Sequence, residues 1–194
     1  MTPAESLPDK TGYVVVYVRD AQTGRPGAPF DRFFGPAEPV YTVRIHGVSY
    51  AWIYQVPPPV AHARPTDFGA GIRLRGYTTI SAQEGKSLRM ELFWEIREKP
   101  ASDYTLFAHL LGPDGRHYTQ ADLPYPTSQW SANRYVTTEL NMLLPGNIPS
   151  GTYQLVIGFY DPVNGTRLPV KSTSVPTSTL DGPNAISLTR VRLR

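Results

Sequence analysis

Proline and glycine interrupt this sequence along its whole length, and they limit what it can fold into. The 194 residues include 20 Pro and 16 Gly, scattered rather than clustered. Both residues are unfavourable inside a helix, so their scatter argues against long helices and favours many short elements joined by turns. Cysteine is absent, which excludes disulfides, thiol catalysis and zinc–thiolate sites.

The clearest strand signal lies between Ser87 and Ile96, where apolar and polar residues alternate around Trp94. A period of two predicts a β-strand with one apolar face. Similar short runs recur with turn signals between them, and Gly112–Gly115 and Asn164–Gly165 favour hairpins, the latter with a primed turn. The predicted strands are Gly71–Ile80, Ser87–Ile96, Tyr104–Leu111, Arg116–Asp122, Arg134–Leu143, Tyr153–Tyr160, Arg167–Val170 and Asn184–Leu193.

This pattern predicts a mainly β chain that contains an antiparallel β-sandwich. Pattern alone does not separate a jelly-roll from an immunoglobulin-like wiring. A Ser/Thr-rich loop is predicted over Lys171–Thr179.

The N-terminal part has a different texture. Tyr13–Val18 is an apolar run without alternation, which predicts a strand buried on both faces. Val40–Ile45 and Tyr50–Tyr54 predict a hairpin, and the three prolines between Val56 and Val60 predict a stiff linker. We therefore predict a small α/β segment over residues 1–58 and the sandwich over 59–194.

Several classes of function find no support in the sequence. The net charge is only +3 and basic residues form no run, so nucleic-acid binding is not indicated. No apolar stretch of about 18 residues predicts a membrane span, and no phosphate loop or nucleophile elbow is present. Glu91 and Glu95 would lie about 13 Å apart on one strand, too far for a glycosidase pair. We interpret them as partners of Arg73 and Arg75 in a cross-strand ladder.

The best candidate binding site is the aromatic segment from Asp122 to Trp130. Tyr125 and Trp130 are flat rings suited to stacking on sugars, and Asp122, Gln129 and Asn133 would supply hydrogen bonds. Trp130 could instead cover the open end of the sandwich, since a Trp is mostly buried on average.

His109 is the second candidate, either as a ligand contact on a sheet face or as a hydrogen-bonded histidine between sheet and loop. The four His have no tight metal-ligand spacing, so no metal is predicted. Asp161 would be credible as a calcium ligand only beside a second carboxylate. No cofactor is expected.

Two parts of the chain resemble a known family. The segments Gly12–Val18 and Glu38–Tyr54 resemble the stretch after the last membrane helices in bacterial polytopic glycosyltransferases of the GT-C class, which are protein-mannosyltransferase-like and Chloroflexus-type. The second half is similar to their C-terminal extension. The residues that carry this second likeness are Leu92–Trp94, Asp103–Leu110, Tyr125–Trp130 and Gly151–Asp161.

The resemblance implies the extracytoplasmic tail of a membrane enzyme, tethered through an upstream region. The family's catalytic carboxylates lie in loops between membrane helices, and no residue here corresponds to them. A non-catalytic accessory domain is therefore implied, with a glycan as a candidate ligand of the aromatic segment. If the chain is complete, the polar stretch Met1–Lys10 instead predicts a cytoplasmic protein.

The alternative is a structural or protein-interaction module that packs on a membrane enzyme and has no ligand of its own. It rests on an apolar cluster of Phe30, Phe33 and Phe34 with Tyr50, Trp52 and Tyr54, which could form an exposed patch. An independent hydrolase has no support beyond scattered carboxylates.

Overall fold

The computed structural model describes residues 12–23, 38–82, 87–178 and 181–193. These residues are mainly β and form three antiparallel sheets, which confirms the predicted fold class. The chain divides into two compact units, residues 1–59 with 133–135, and residues 60–132 with 136–194. Phe30, Phe33 and Phe34 lie outside the described residues. Within the described residues, no helix is long and apolar enough to cross a membrane.

The first unit contains a three-stranded sheet. Its elements are β1 Gly12–Tyr17, α1 Val18–Gln22, β2 Tyr41–Ile45 and β3 Val48–Val56, and the strand order is β1–β3–β2. The predicted hairpin is confirmed. His46 and Gly47 both have positive φ, 49° and 82°, as the two central residues of a type I′ turn require.

The prediction that the first strand is buried on both faces is wrong. Val16 is buried, but Tyr13 is 65% exposed and its same-face neighbours Val15 and Tyr17 are also exposed. Side chains alternate between faces along a strand, so one apolar face of β1 is covered and the other is not. An apolar run shows that both faces are apolar, and it does not show that both are covered.

The second unit is a sandwich of two sheets. The strands are β4 His62–Phe68, β5 Ile72–Ala82, β6 Ser87–Ile96, β7 Tyr104–Leu111, β8 His117–Tyr125, β9 Arg134–Leu143, β10 Gly151–Tyr160, β11 Val170–Thr173 and β12 Ile186–Leu193. A 3₁₀ turn, Thr127–Gln129, follows β8. The five-stranded sheet has the order β11–β4–β5–β6–β9, and the four-stranded sheet has the order β12–β10–β7–β8.

The core lies between the two sheets, and Trp94 of β6 is at its centre. Trp94 is fully buried, its ring packs against those of Phe68 and Phe159, and its indole N–H donates to the Thr138 hydroxyl at 2.8 Å. The alternate residues of β6 from Leu88 to Ile96 are buried with it, as the alternation predicts.

The predicted ladder of opposite charges is present in part, on the face of the five-stranded sheet that points away from the core. Arg73 is paired with Glu95 in register and lies 3.7 Å from its carboxylate. Asp67 joins them, 3.5 Å from Arg73 and 3.2 Å from Arg97. Glu91 is instead opposite Thr78.

Two strands differ from the predictions. β4 was not predicted, because Pro65 interrupts its pattern; the structure places Pro65 at an irregularity between Ala63 and Thr66, where a ladder N–H is not needed. β11 occupies the start of the predicted Ser/Thr-rich loop. It is an edge strand whose Ser172 and Thr173 hydroxyls bond to Asp67 and Thr66, so its polar side chains are satisfied.

Two smaller corrections concern the predicted strand Arg167–Val170 and the turn before it. The predicted strand Arg167–Val170 is reduced to one bridge between Tyr160 and Arg167 before β11 begins. At Asn164–Gly165 only Gly165 has positive φ, so the turn is not primed. The Asp161 carboxylate shapes this turn by accepting from the Val163 amide N–H at 2.8 Å and the Asn164 side chain at 3.2 Å.

Candidate functional site

The predicted site residues lie on different faces of the four-stranded sheet. Along β7, Leu106, Ala108 and Leu110 point into the sandwich core, while Phe107 and His109 point to the opposite, outer face. The same alternation along β8 puts Asp122 on the outer face, since it is opposite Phe107, and Tyr125 on the inner face. His109 and Tyr125 are therefore separated by the sheet.

The two aromatic rings of the predicted sugar platform belong to the core. Trp130 is only 9% exposed, and Tyr125 is half-buried with its ring centroid 6.0 Å from that of Trp130. The Tyr125 hydroxyl donates to the Glu139 carbonyl at 3.0 Å, and burial raises the pKa of this tyrosine. Tyr125 also lies in β8 rather than in a loop, so the predicted loop begins later than expected.

The polar members of the predicted site are dispersed. Asp122 is exposed and accepts from the Gln120 amide at 3.3 Å, and Gln129 is exposed in the 3₁₀ turn. Asn133 has a positive φ of 58° and donates to Glu38 at 3.0 Å within the first unit. Trp130, Tyr125, His109, Asp122 and Gln129 do not form one surface.

The outer face of the four-stranded sheet brings together residues that the sequence did not connect. Phe107, Leu111, Val156 and Ala185 form a small buried apolar cluster there. Beside it, Asp181 Oδ2 lies 2.6 Å from His109 Nδ1, and the His117 ring centroid lies 4.7 Å from that of His109. We call His109, His117, Asp181 and Arg167 the outer-face cluster.

Arg167 orients the carboxylate of this cluster. Its guanidinium donates to Asp181 Oδ1 at 3.1 Å and to the Asp181 backbone carbonyl, and it lies over the Phe107 ring, 4.3 Å from the centroid. Asp181 Oδ2 is left to face the imidazole. A carboxylate held in this way has one oxygen committed to the arginine and one directed at the histidine pair.

Burial lowers the pKa of His109, and this effect exceeds the opposing attraction of Asp181; the nearby His117 and Arg167 lower it further. The lowered pKa favours the neutral form of the imidazole. Since a carboxylate oxygen only accepts, His109 Nδ1 is the donor in its hydrogen bond to Asp181. A neutral imidazole is the form of histidine that accepts a proton or binds a metal ion.

Asp181, His117 and Arg167 were not among the predicted site residues. Asp181 is 72 positions from His109, and only the tertiary fold brings it near. The predicted turn Gly112–Gly115 does fold β8 back on β7, but the turn alone does not give the register, which contains an irregularity between Leu110 and Leu111. In the resulting register Gln120 is opposite His109 and His117 is opposite Leu111, so the two imidazoles are on neighbouring strands.

A second candidate surface lies in the first unit, and we call it the aromatic face. It consists of Tyr13, Val15 and Tyr17 on β1 with Tyr41 on β2, all exposed. Val15 and Tyr41 flank Ile53, which is paired in register with both. Neither β1 nor β3 contains an Asp, Glu, Lys, Arg or His.

A scan against protein-family models finds no match to this chain, and a search of the curated proteins finds none either.

Proposed function

We propose that this chain is a non-catalytic accessory module of a membrane glycosyltransferase, and that the aromatic face docks on the membrane-embedded part of that enzyme. The observation that carries the proposal is the exposure of large apolar side chains on one face of a sheet. Tyr13 and Tyr41 are 65% and 64% exposed, and Val15 and Tyr17 extend the same surface.

Such a face suits a protein interface. Exposed apolar patches that are contiguous mark interaction sites more often than single exposed apolar residues do. Tyrosine is enriched in interfaces because it combines a large apolar ring with a hydroxyl that bonds at the rim. β1 and β3 carry no acidic, basic or imidazole side chains. Burying these two strands in an interface therefore does not require the desolvation of a charged side chain on either.

The resemblance indicates which partner would cover the aromatic face. The segments that resemble the stretch after the last membrane helices, Gly12–Val18 and Glu38–Tyr54, contain nearly all of the three-stranded sheet. A unit joined at that point lies next to the membrane-embedded part of the enzyme, on its extracytoplasmic side. No residue corresponds to the family's catalytic carboxylates, so the role proposed is positioning rather than catalysis.

Site-specific photocrosslinking in cells that make the full reading frame tests this proposal. A photoreactive phenylalanine analogue replaces Tyr41 on the aromatic face, and in a matched control it replaces Val163, which is 91% exposed in a turn of the second unit. Crosslinked peptides are then identified by mass spectrometry. We expect position 41 to crosslink to peptides of a membrane-embedded glycosyltransferase, in the same chain or a separate one, and position 163 not to do so.

Two results would overturn the proposal. Equal crosslinking from both positions would show that the aromatic face has no preferred partner. Crosslinks from position 41 only to another copy of this chain would assign the face to self-association instead.

Glycan binding through the aromatic segment stays a prediction with less support from the geometry, because Trp130 and Tyr125 pack in or against the core. A glycan array with Asp122→Ala and Gln129→Ala is the suitable test, since both side chains are exposed. Trp130→Ala would disturb the core whether or not a sugar binds, and is therefore uninformative. Loss of a saturable signal in either polar variant would revive the hypothesis.

A further inference from the structure

We propose that the outer-face cluster is a binding site for one divalent transition-metal ion, preferably Zn²⁺, with His109, His117 and Asp181 as its protein ligands. One ligand atom from each of these three side chains lies within 4.8 Å of the others. They come from β7, from β8 and from the segment that leads into β12, so the site exists only in the folded chain.

The donor set selects the class of metal. Two imidazole nitrogens and one carboxylate oxygen suit Zn²⁺ and its neighbours Co²⁺ and Ni²⁺, whereas Ca²⁺ and Mg²⁺ take oxygen ligands. Three protein ligands with a fourth position left for water is the composition of an open zinc site. Asp161 is the residue that the sequence suggested for calcium, and its carboxylate is engaged in a turn.

The spacing of the donors requires only a small adjustment. Zinc–ligand bonds of about 2.0–2.1 Å around a tetrahedral ion separate neighbouring ligand atoms by roughly 3.3 Å. Asp181 Oδ2 and His109 Nδ1 are now 2.6 Å apart and share a proton. An ion that binds both atoms would displace that proton, which moves to Nε2 through solvent, so that His109 binds as a neutral imidazole. The pair would open slightly while the third donor closes in.

Arg167 holds the Asp181 ligand in an orientation that suits metal binding. Arg167 holds Asp181 Oδ1, which leaves Oδ2 directed at the histidines, and outer contacts of this kind orient ligands in metal sites. Its positive charge also offsets that of the Asp181 carboxylate, which weakens the attraction of the site for a cation. An affinity below that of closed structural zinc sites is the consequence, and saturation should require free zinc in excess.

The competing interpretation is that the cluster only holds the segment before β12 against the four-stranded sheet. The hydrogen bond from His109 to Asp181 performs that structural role without His117, which is exposed and contacts the His109 ring. His117 is therefore the residue that separates the two interpretations. A structural contact does not need His117, whereas a metal site without it loses one of its three ligands.

Calorimetric titration of the untagged, chelator-treated full chain with Zn²⁺ tests the proposal, with Co²⁺ absorption as a second readout. We expect one ion per chain, a visible Co²⁺ spectrum typical of four-coordination, and a Zn²⁺-dependent rise in Tm. His117→Ala should weaken binding at least 10- to 100-fold and leave the Tm of the metal-free protein unchanged. Asp181→Asn should also abolish binding, with some loss of metal-free stability.

His46→Asn is the matched control, because His46 is an exposed histidine in a turn of the first unit and Asn tolerates its positive φ. It should bind Zn²⁺ as the unaltered chain does. Binding that is unchanged in His117→Ala, or equally reduced in His46→Asn, would overturn the proposal, as would the absence of saturable binding at one equivalent. These outcomes do not depend on whether the aromatic face docks on an enzyme.

Discussion

The two units of this protein use apolar strand residues in different ways. In the sandwich, strands such as β6 alternate, and the apolar set around Trp94 is buried completely. In the three-stranded sheet, β1 is apolar on both faces, yet only Val16 of its six residues is buried. The sandwich uses its apolar residues to stabilise its own fold, whereas part of the apolar surface of the first unit remains available.

This difference shows what an apolar run can and cannot indicate. Alternation specifies which face is covered, because burying the polar set would cost free energy. A run without alternation carries no such instruction, and either face can be left for a partner. An apolar strand without alternation is therefore a candidate interface as much as a candidate core strand.

The largest expected effect contrasts the two units directly. Trp94→Ala should lower the free energy of unfolding by about 3–5 kcal/mol, because it leaves a cavity beside Phe68 and Phe159 and removes the hydrogen bond to the Thr138 hydroxyl. Val15→Ala on the aromatic face should change it by less than about 0.5 kcal/mol. Urea denaturation followed by circular dichroism measures both. A large loss for Val15→Ala would mean that this face is covered in the isolated chain.

An intermediate effect is expected where the segment before β12 crosses the outer face. A Cβ on Gly158 would lie 2.5 Å from the Phe107 ring and 2.9 Å from the Asn184 carbonyl oxygen. Gly158→Ala should therefore destabilise the sandwich by about 1–3 kcal/mol through overpacking. Gly146→Ala is the matched control, since a Cβ there meets nothing within 4 Å. Equal midpoints for the two variants in thermal denaturation would show that this packing is looser than described.

The smallest effect concerns two turns among the described residues, one in each unit, whose central residues both have the positive φ of a type I′ turn. His46–Gly47 joins β2 to β3, and Ala70–Gly71 joins β4 to β5 with φ values of 59° and 71°. Alanine is strained at positive φ, so Ala70→Gly should stabilise the protein by up to about 1 kcal/mol. Ala132→Gly, at a position without positive φ, should have the opposite sign. Differential scanning calorimetry resolves the two, and a loss of stability in Ala70→Gly would contradict the expectation.

The sequence was sufficient for the sandwich, because β6, β7 and β9 each combine a clear pattern with flanking turn signals. It was insufficient for β4 and β11, where a proline and a run of hydroxyl residues hide strands that neighbouring strands stabilise. The platform of Tyr125 and Trp130 was inferred from residue type alone, and residue type does not determine which face of β8 a ring occupies. The outer-face cluster depends on Asp181, whose position no local pattern could provide.

Pro65 has one more consequence, which concerns the register in which β4 can pair with its neighbours. β4 lies between β11 and β5, so a slip of one residue would bring Pro65 to a ladder position that requires an N–H donor. The same slip would turn Phe68 away from Trp94. A hairpin of β4 and β5 in the wrong register is therefore unfavourable as soon as it forms. Pro65, which interrupts the sequence pattern of β4, also favours a single register for this strand.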